Sequence, residues 1–250
     1  MLLLSINEGF PAISDDKSGS CVHCGHCEAV CPTGALLHNE TEMSQAPLFQ
    51  GKAEITPKDL GLYFRNRRSI RCYQSKAVDK KILEEIMDVV RYAPTGMNRQ
   101  PLGWVVIQDK KKVEEIVSTT IAWMRQLRET NRPLFQAYGF SNHISAYEAG
   151  VDLICRDAPH LTITYSAANY PIGAKDATIA ATHLELLLPS FGLGGCWAGY
   201  LMVALQYSAE LKSLIGLNEK HAVHAALLLG YPRFEYQKIP NRNKVNVMWQ

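Results

Sequence analysis

The chain has 250 residues, of which 47% are hydrophobic and 20% charged, enough to bury one large core and carry a small extra module. That composition excludes a disordered chain. Its 26 basic and 24 acidic residues leave a formal charge of +2 and are spread along the sequence, which excludes recruitment of nucleic acid or of an anionic membrane by a field of one sign.

Met1 to Ile6 is apolar but lacks a basic flank and meets Asn7 and Glu8 at once, so no export signal is expected and the location is read as cytoplasmic. The first ~45 residues are rich in Cys, Gly and Ser, and a polar stretch from His38 to Gly51 reads as a linker. The expected division is therefore a small segment over 1–51 and a large domain over 52–250.

In the large domain, Thr56-Pro57 opens a helix towards Arg65, and Asp79 caps a helix over Lys80–Tyr92 in which Leu83, Ile86, Met87 and Val90 share a face. Pro94 and Gly96 stop it. A strand is expected over Gly103–Gln108, helices over Lys111–Arg128 and His143–Ile154, and a strand over Leu161–Tyr165. A helix over Ala174–Leu188 is apolar nearly all round and is expected to be central and buried. The uncharged run Leu186–Leu205 is broken by Pro189, Gly192, Gly194, Gly195 and Gly199, which argues against a membrane span. A strand over Cys196–Met202, a helix over Ser208–Ile215, a strand over Ala222–Leu229 and an irregular tail close the chain. Strands scattered among long helices predict an α+β sheet flanked by helices.

Four of the seven cysteines form the run Cys21-x2-Cys24-x2-Cys27-x3-Cys31-Pro32. In a chain without an export signal, clustered thiols point to metal or redox work rather than disulfides. This spacing lets a tight loop wrap three thiolates around an iron–sulfur cube, with Gly25 permitting close backbone approach. Four-cysteine zinc sites usually present two distant CxxC knuckles instead, so the expected group is a [4Fe-4S] cluster. His23 and His26, inside the loop, are read as surface or outer residues beside the sulfurs.

Arg67-Arg68-Ser69-Ile70-Arg71 offers three guanidinium groups and a hydroxyl, the donors a dianionic phosphate needs. Ala93-Pro94-Thr95-Gly96-Met97-Asn98-Arg99-Gln100-Pro101 is a loop of small residues and amides, suited to the polar edge of a planar ring. Gly192-Leu193-Gly194-Gly195-Cys196-Trp197 lets backbone approach a ligand, and Pro240-Asn241-Arg242 adds a cation near the C-terminus.

In this order, and with Gly-Tyr-Pro at 230–232, these signatures resemble the nitroreductase family over about residues 60–250. The cysteine run resembles the second half of a bacterial two-cluster ferredoxin. The resemblance implies a nitroreductase-like three-layer fold, a sheet with flanking helices, preceded by a half-ferredoxin-like segment. It implies FMN, with Arg67, Arg68, Ser69 and Arg71 on the phosphate and ribityl chain and Arg242, or Lys244 as a fallback, at the phosphate. Pro94, Thr95, Gly96, Asn98 and Gln100 would border the isoalloxazine, with the loop contributed by the partner of a homodimer, and Gly194 and Gly195 would line the ring. It implies an oxidoreductase passing electrons from the iron–sulfur centre or NAD(P)H to a small acceptor such as a nitroaromatic or quinone, served by a redox partner protein. The alternative is a redox-sensing or electron-carrying protein without small-molecule turnover.

The missing ferredoxin half leaves the role of Cys31 open. In two-cluster ferredoxins the fourth cysteine serves the other cluster. Cys31 can bend back to its own cluster, Cys72 can complete it, or two protomers can exchange their Cys31 residues. Cys72, Cys155 and Cys196 otherwise read as small buried hydrophobes, and His183, His221 and His224 as structural histidines. Trp123 and Met124 read as packing.

Overall fold

The structure, a computed structural model, describes residues 4–7, 10–13, 18–34, 36 and 54–250; the 38–51 stretch read as a linker lies outside the described residues. The chain divides into two compact units. One comprises residues up to Ile55 together with Thr95–Gln100, and the other Thr56–Pro94 with Pro101–Gln250.

In the first unit, β1 (Leu4–Asn7) pairs antiparallel with β2 (Phe10–Ile13). The cysteine loop follows and contains one short helix, α1 (His26–Ala29), entered through Gly25 at φ 70°.

The second unit opens with α2 (Pro57–Asn66), whose first turn is held by the Asp59 N–H donating to Thr56 Oγ1 at 3.1 Å. A cap of this kind contributes about 1 kcal/mol. Helix α3 (Lys80–Val90) is capped likewise by Asp79 and buries Leu83, Ile86 and Val90. The other elements are β3 (Gly103–Ile107), α4 (Lys110–Thr130), α5 (Arg132–Ala137), α6 (Phe140–Glu148), β4 (His160–Ala167), α7 (Gly173–Leu187), β5 (Gly194–Trp197), α8 (Gly199–Tyr207), α9 (Ala209–Leu214) and β6 (His221–Gly230). The four long-range strands form one antiparallel sheet in the order β3-β4-β6-β5.

Period-two alternation assigns each side of this sheet its layer. On β6, Ala225, Leu227 and Leu229 pack with α3 and α7, while Ala226 and Leu228 face the cluster built from α4, α5, α6, α8 and α9; a register shift against Thr164 and Tyr165 breaks the alternation and turns Val223 to that second cluster as well. On β4, Leu161 and Ile163 join the second cluster, which also holds Trp123 and Met124. The result is helices on both faces of a mixed helix-and-sheet core, the three-layer α+β arrangement expected. Each fully buried Leu or Ile contributes roughly 1.5–3 kcal/mol to that core.

Several boundaries differ from those read in the sequence. The strand expected over Cys196–Met202 ends at Trp197, and Gly199 begins a helix that buries Leu201, Ala204 and Leu205. A short, wholly apolar run carries no periodicity to separate the two states. The helix expected over His143–Ile154 runs Phe140–Glu148, because Gly139 and Gly150 adopt φ 62° and 80° at its two ends. Helix α7 is not buried all round: Thr178, Ile179, Thr182 and His183 lie on an exposed face. Helix α5, capped by Asn131 and started by Pro133, went unread. Cys155 and Cys196 are buried as expected, whereas Cys72 is exposed because it sits on an outer connecting segment. No helix among the described residues is long and apolar enough to cross a membrane.

Candidate functional site

The arginine run leaves α2 and is laid along β5. The Ile70 N–H donates to the Gly195 carbonyl at 2.9 Å, and Ser69 forms a parallel bridge with Gly195. Further on, the Gln74 N–H donates to Tyr231 O at 2.9 Å and the Arg233 N–H to Cys72 O at 3.0 Å. The Gly-Tyr-Pro turn thus holds the far end of the same segment.

Gly194 and Gly195 make this approach possible. A Cβ at Gly194 would overlap Ile70 Cγ1, and one at Gly195 would stand 2.8 Å from Leu188 Cδ1 and 3.0 Å from Leu228 O. Glycine here is required by the strand pairing itself, a reason separate from any ring the backbone could line.

The guanidinium groups diverge. Arg67 Nη1 bonds Glu185 Oε1 at 2.8 Å, and Trp197 Nε1 donates to Glu185 Oε2 at 3.1 Å. Glu185 was not singled out in the sequence, although a carboxylate buried on the largely apolar helix α7 needs a cation or hydrogen-bond donors. Arg68 Nη1 donates to Arg67 O at 2.6 Å, while its Nε and Nη2 are buried and have no hydrogen-bond partner among the described residues. Arg71 is exposed and lies beside Cys196, whose thiol is pushed up by burial and pulled back by the Arg71 and Arg156 cations. Two unmet, buried donors on a half-buried cation are what a phosphate oxygen pair would satisfy, so the residues fit an anionic group.

Arg242 stands in the exposed tail, its Nη1 donating to Asn241 O at 3.5 Å, and among the described residues no bond ties it to the arginine run. Lys244 is exposed in the same tail. Pro94 is exposed at the end of the α3 turn.

In the first unit, Thr95 Oγ1 accepts the Gln100 N–H at 3.0 Å and Thr95 O accepts the Asn98 N–H at 3.0 Å, closing the loop on itself. Gly96 opens its single 3-10 turn. Cys21, Cys24, Cys27 and Cys31 are all half-buried. Among the described residues no three His, Cys, Asp or Glu side chains are drawn together as metal ligands. The donor chemistry nonetheless fits a cluster: four soft thiols within one short loop whose buried Gly25 is left-handed.

Residues 64–231 match the Nitroreductase family. The chain belongs to the nitroreductase family. Residues 18–37 also match the 4Fe-4S binding domain. Relatives within the family include a protein of Archaeoglobus fulgidus given as a candidate NADH dehydrogenase/NAD(P)H nitroreductase, 26% identical and covering 68% of this chain and 83% of its own. An FMN reductase [NAD(P)H] of Bacillus subtilis is 28% identical over 70% of this chain and 66% of its own. Among solved structures, a nitroreductase of Bacteroides fragilis with bound FMN superposes with a TM-score of 0.62 at 19% identity, covering 76% of this chain and 98% of its own. The fold is thus the family's, and the chain is an oxidoreductase.

Proposed function

We propose that this nitroreductase binds FMN and passes electrons, from NAD(P)H or from an iron–sulfur centre, to a small acceptor such as a nitroaromatic or quinone. The observation that carries the reading is Arg68. Its buried Nε and Nη2 lack partners among the described residues, a state that costs about 1–3 kcal/mol for each unmet donor and that the forked oxygens of a phosphate relieve. Arg71 and Ser69 flank it, and Glu185 holds Arg67 in place. Arg242 or Lys244 would add a cation from the tail.

FMN, when bound, supplies hydride acceptance and two-electron storage. The chain's part is to fix the phosphate through Arg68 and Arg71 and to present Pro94, Thr95, Gly96, Asn98 and Gln100 as the polar edge of the ring site. Cations close to the phosphate favour an electron-rich reduced ring. Cys21, Cys24, Cys27 and Cys31 would hold the [4Fe-4S] cluster, fed by a redox partner protein of the one-electron class. On this reading residues 1–51 carry the cluster and residues 52–250 the flavin.

A homodimer is part of the reading. Helix α2 buries none of its residues and exposes Leu60, Leu62 and Phe64, while the tail exposes Val245, Met248 and Trp249. Exposed apolar side chains of this kind mark an interaction face, and a second copy of the chain is the occupant proposed for it. The free cysteines suit a reducing compartment such as the cytoplasm.

The test is an anaerobic visible spectrum of the freshly purified protein with iron, sulfide and FMN quantified per chain, followed by NAD(P)H oxidation against a quinone. One flavin with about four irons and four sulfides supports the full reading. Flavin without iron leaves the NAD(P)H route alone, and absence of both cofactors overturns it.

A further inference from the structure

The Asn98 side chain leaves its own loop. Its Nδ2 donates to the His23 carbonyl at 2.9 Å and more weakly to the Val22 carbonyl at 3.4 Å, both within the first compact unit. His23 and Asn98 are non-glycine residues at φ 50° and 53°, and Met97 and Gln100 share that left-handed region at 52° and 48°. Backbone of this kind persists where the surroundings over-determine it and gathers at functional sites. The bonds of Thr95 to Asn98 and Gln100 supply that constraint on one side. The Asn98 amide supplies it on the other.

The gripped carbonyl belongs to the peptide unit that joins His23 to Cys24. In a trans peptide the N–H points opposite to the C=O, so holding the His23 oxygen towards Asn98 aims the Cys24 N–H away from it. Amide hydrogens directed at cluster sulfurs raise a cluster's potential. We propose that Asn98 is a positioning residue for the iron–sulfur loop. It locks the His23–Cys24 peptide plane, so that the loop assigned to the flavin ring and the loop assigned to the cluster move as one body. The inference rests on the iron–sulfur reading of the cysteine run.

Asn98→Asp and Asn98→Gly test it, since Asp and Gly both tolerate the left-handed backbone. Asp replaces the donor by an acceptor facing two carbonyls, and Gly removes the side chain without adding charge. Hydrogen exchange of the protein as purified is expected to quicken about fivefold across residues 18–34 in both variants, the effect of losing one hydrogen bond. In reconstituted protein, a redox titration is expected to show the cluster potential more negative in both. Wild-type protein that takes up no iron would sink the cluster reading and the proposal together. Iron-replete wild type with unchanged exchange and unchanged potential in Asn98→Gly would overturn the proposal alone.

Discussion

Arg67 and Glu185 form a partly buried ion pair at 2.8 Å, their side chains 28% and 10% exposed, and the same carboxylate takes the Trp197 indole N–H. One buried acid therefore holds both a residue of the arginine run and one at the end of β5. Removing it as Glu185→Ala strands a half-buried cation and an indole donor, an expected loss of about 2–4 kcal/mol. Glu185→Gln keeps an acceptor for Trp197 and is expected to lose about half as much. Urea unfolding of the two variants measures the difference.

Arg68 behaves in the opposite sense without ligand. Its unmet buried donors burden the cofactor-free fold, so Arg68→Ala is expected to leave apo stability unchanged or slightly raised while weakening FMN binding about 100-fold, the loss of two charge-assisted hydrogen bonds. Arg68→Lys keeps the charge without the fork and should recover only part of it. Apo melting curves and FMN fluorescence titration read the two effects separately.

Gly194→Ala puts a methyl into Ile70, so the arginine run must lift from β5. The expected result is a loss of about 1–3 kcal/mol with at least tenfold weaker FMN binding. Gly199, whose Cβ would meet nothing within 4 Å, is the matched control: Gly199→Ala should change stability by less than about 0.5 kcal/mol.

His160 sets a pH dependence. Its Nε2 accepts the Val78 N–H at 2.8 Å, which leaves the proton on Nδ1 to donate to Gln108 O at 2.9 Å. Burial pushes its pKa below the usual imidazole value, opposed by the Gln108 bond. The unfolded chain therefore binds the proton more readily, and the stability from this site is present above an unfolded pKa of about 6.5 and is lost as pH falls through the lower folded value. His143 and His224, also lowered by burial, act in the same direction. Melting temperature should be flat from neutral pH upward and drop in mild acid, with a shallower drop in His160→Gln.

The sequence was most legible where spacing is chemistry. The cysteine run announced the segment that matches the 4Fe-4S binding domain, the glycine pair before Cys196 announced a place that another segment must approach closely, and the apolar run Ala225–Leu229 announced β6 although His221 and His224 lie in the same strand. Where the reading slipped, the cause was local. Tyr200–Leu205 is apolar without a period, so a buried helix passed for a strand. Glu185 is 118 residues from Arg67, and only the packing of α7 brings the two together. The Asn98 clasp spans 75 residues and depends on left-handed backbone at both ends, which no residue type declares.

The loop Thr95–Gln100 is six residues, proposed above for the flavin ring, that belong structurally with the N-terminal unit. The boundary between the modules is consequently not a single cut near residue 55. A chimera grafting the cysteine segment onto an unrelated scaffold must carry residues 95–100 with it, since the carbonyls of Val22 and His23 would otherwise arrive without their donor. The two stretches form one structural cassette.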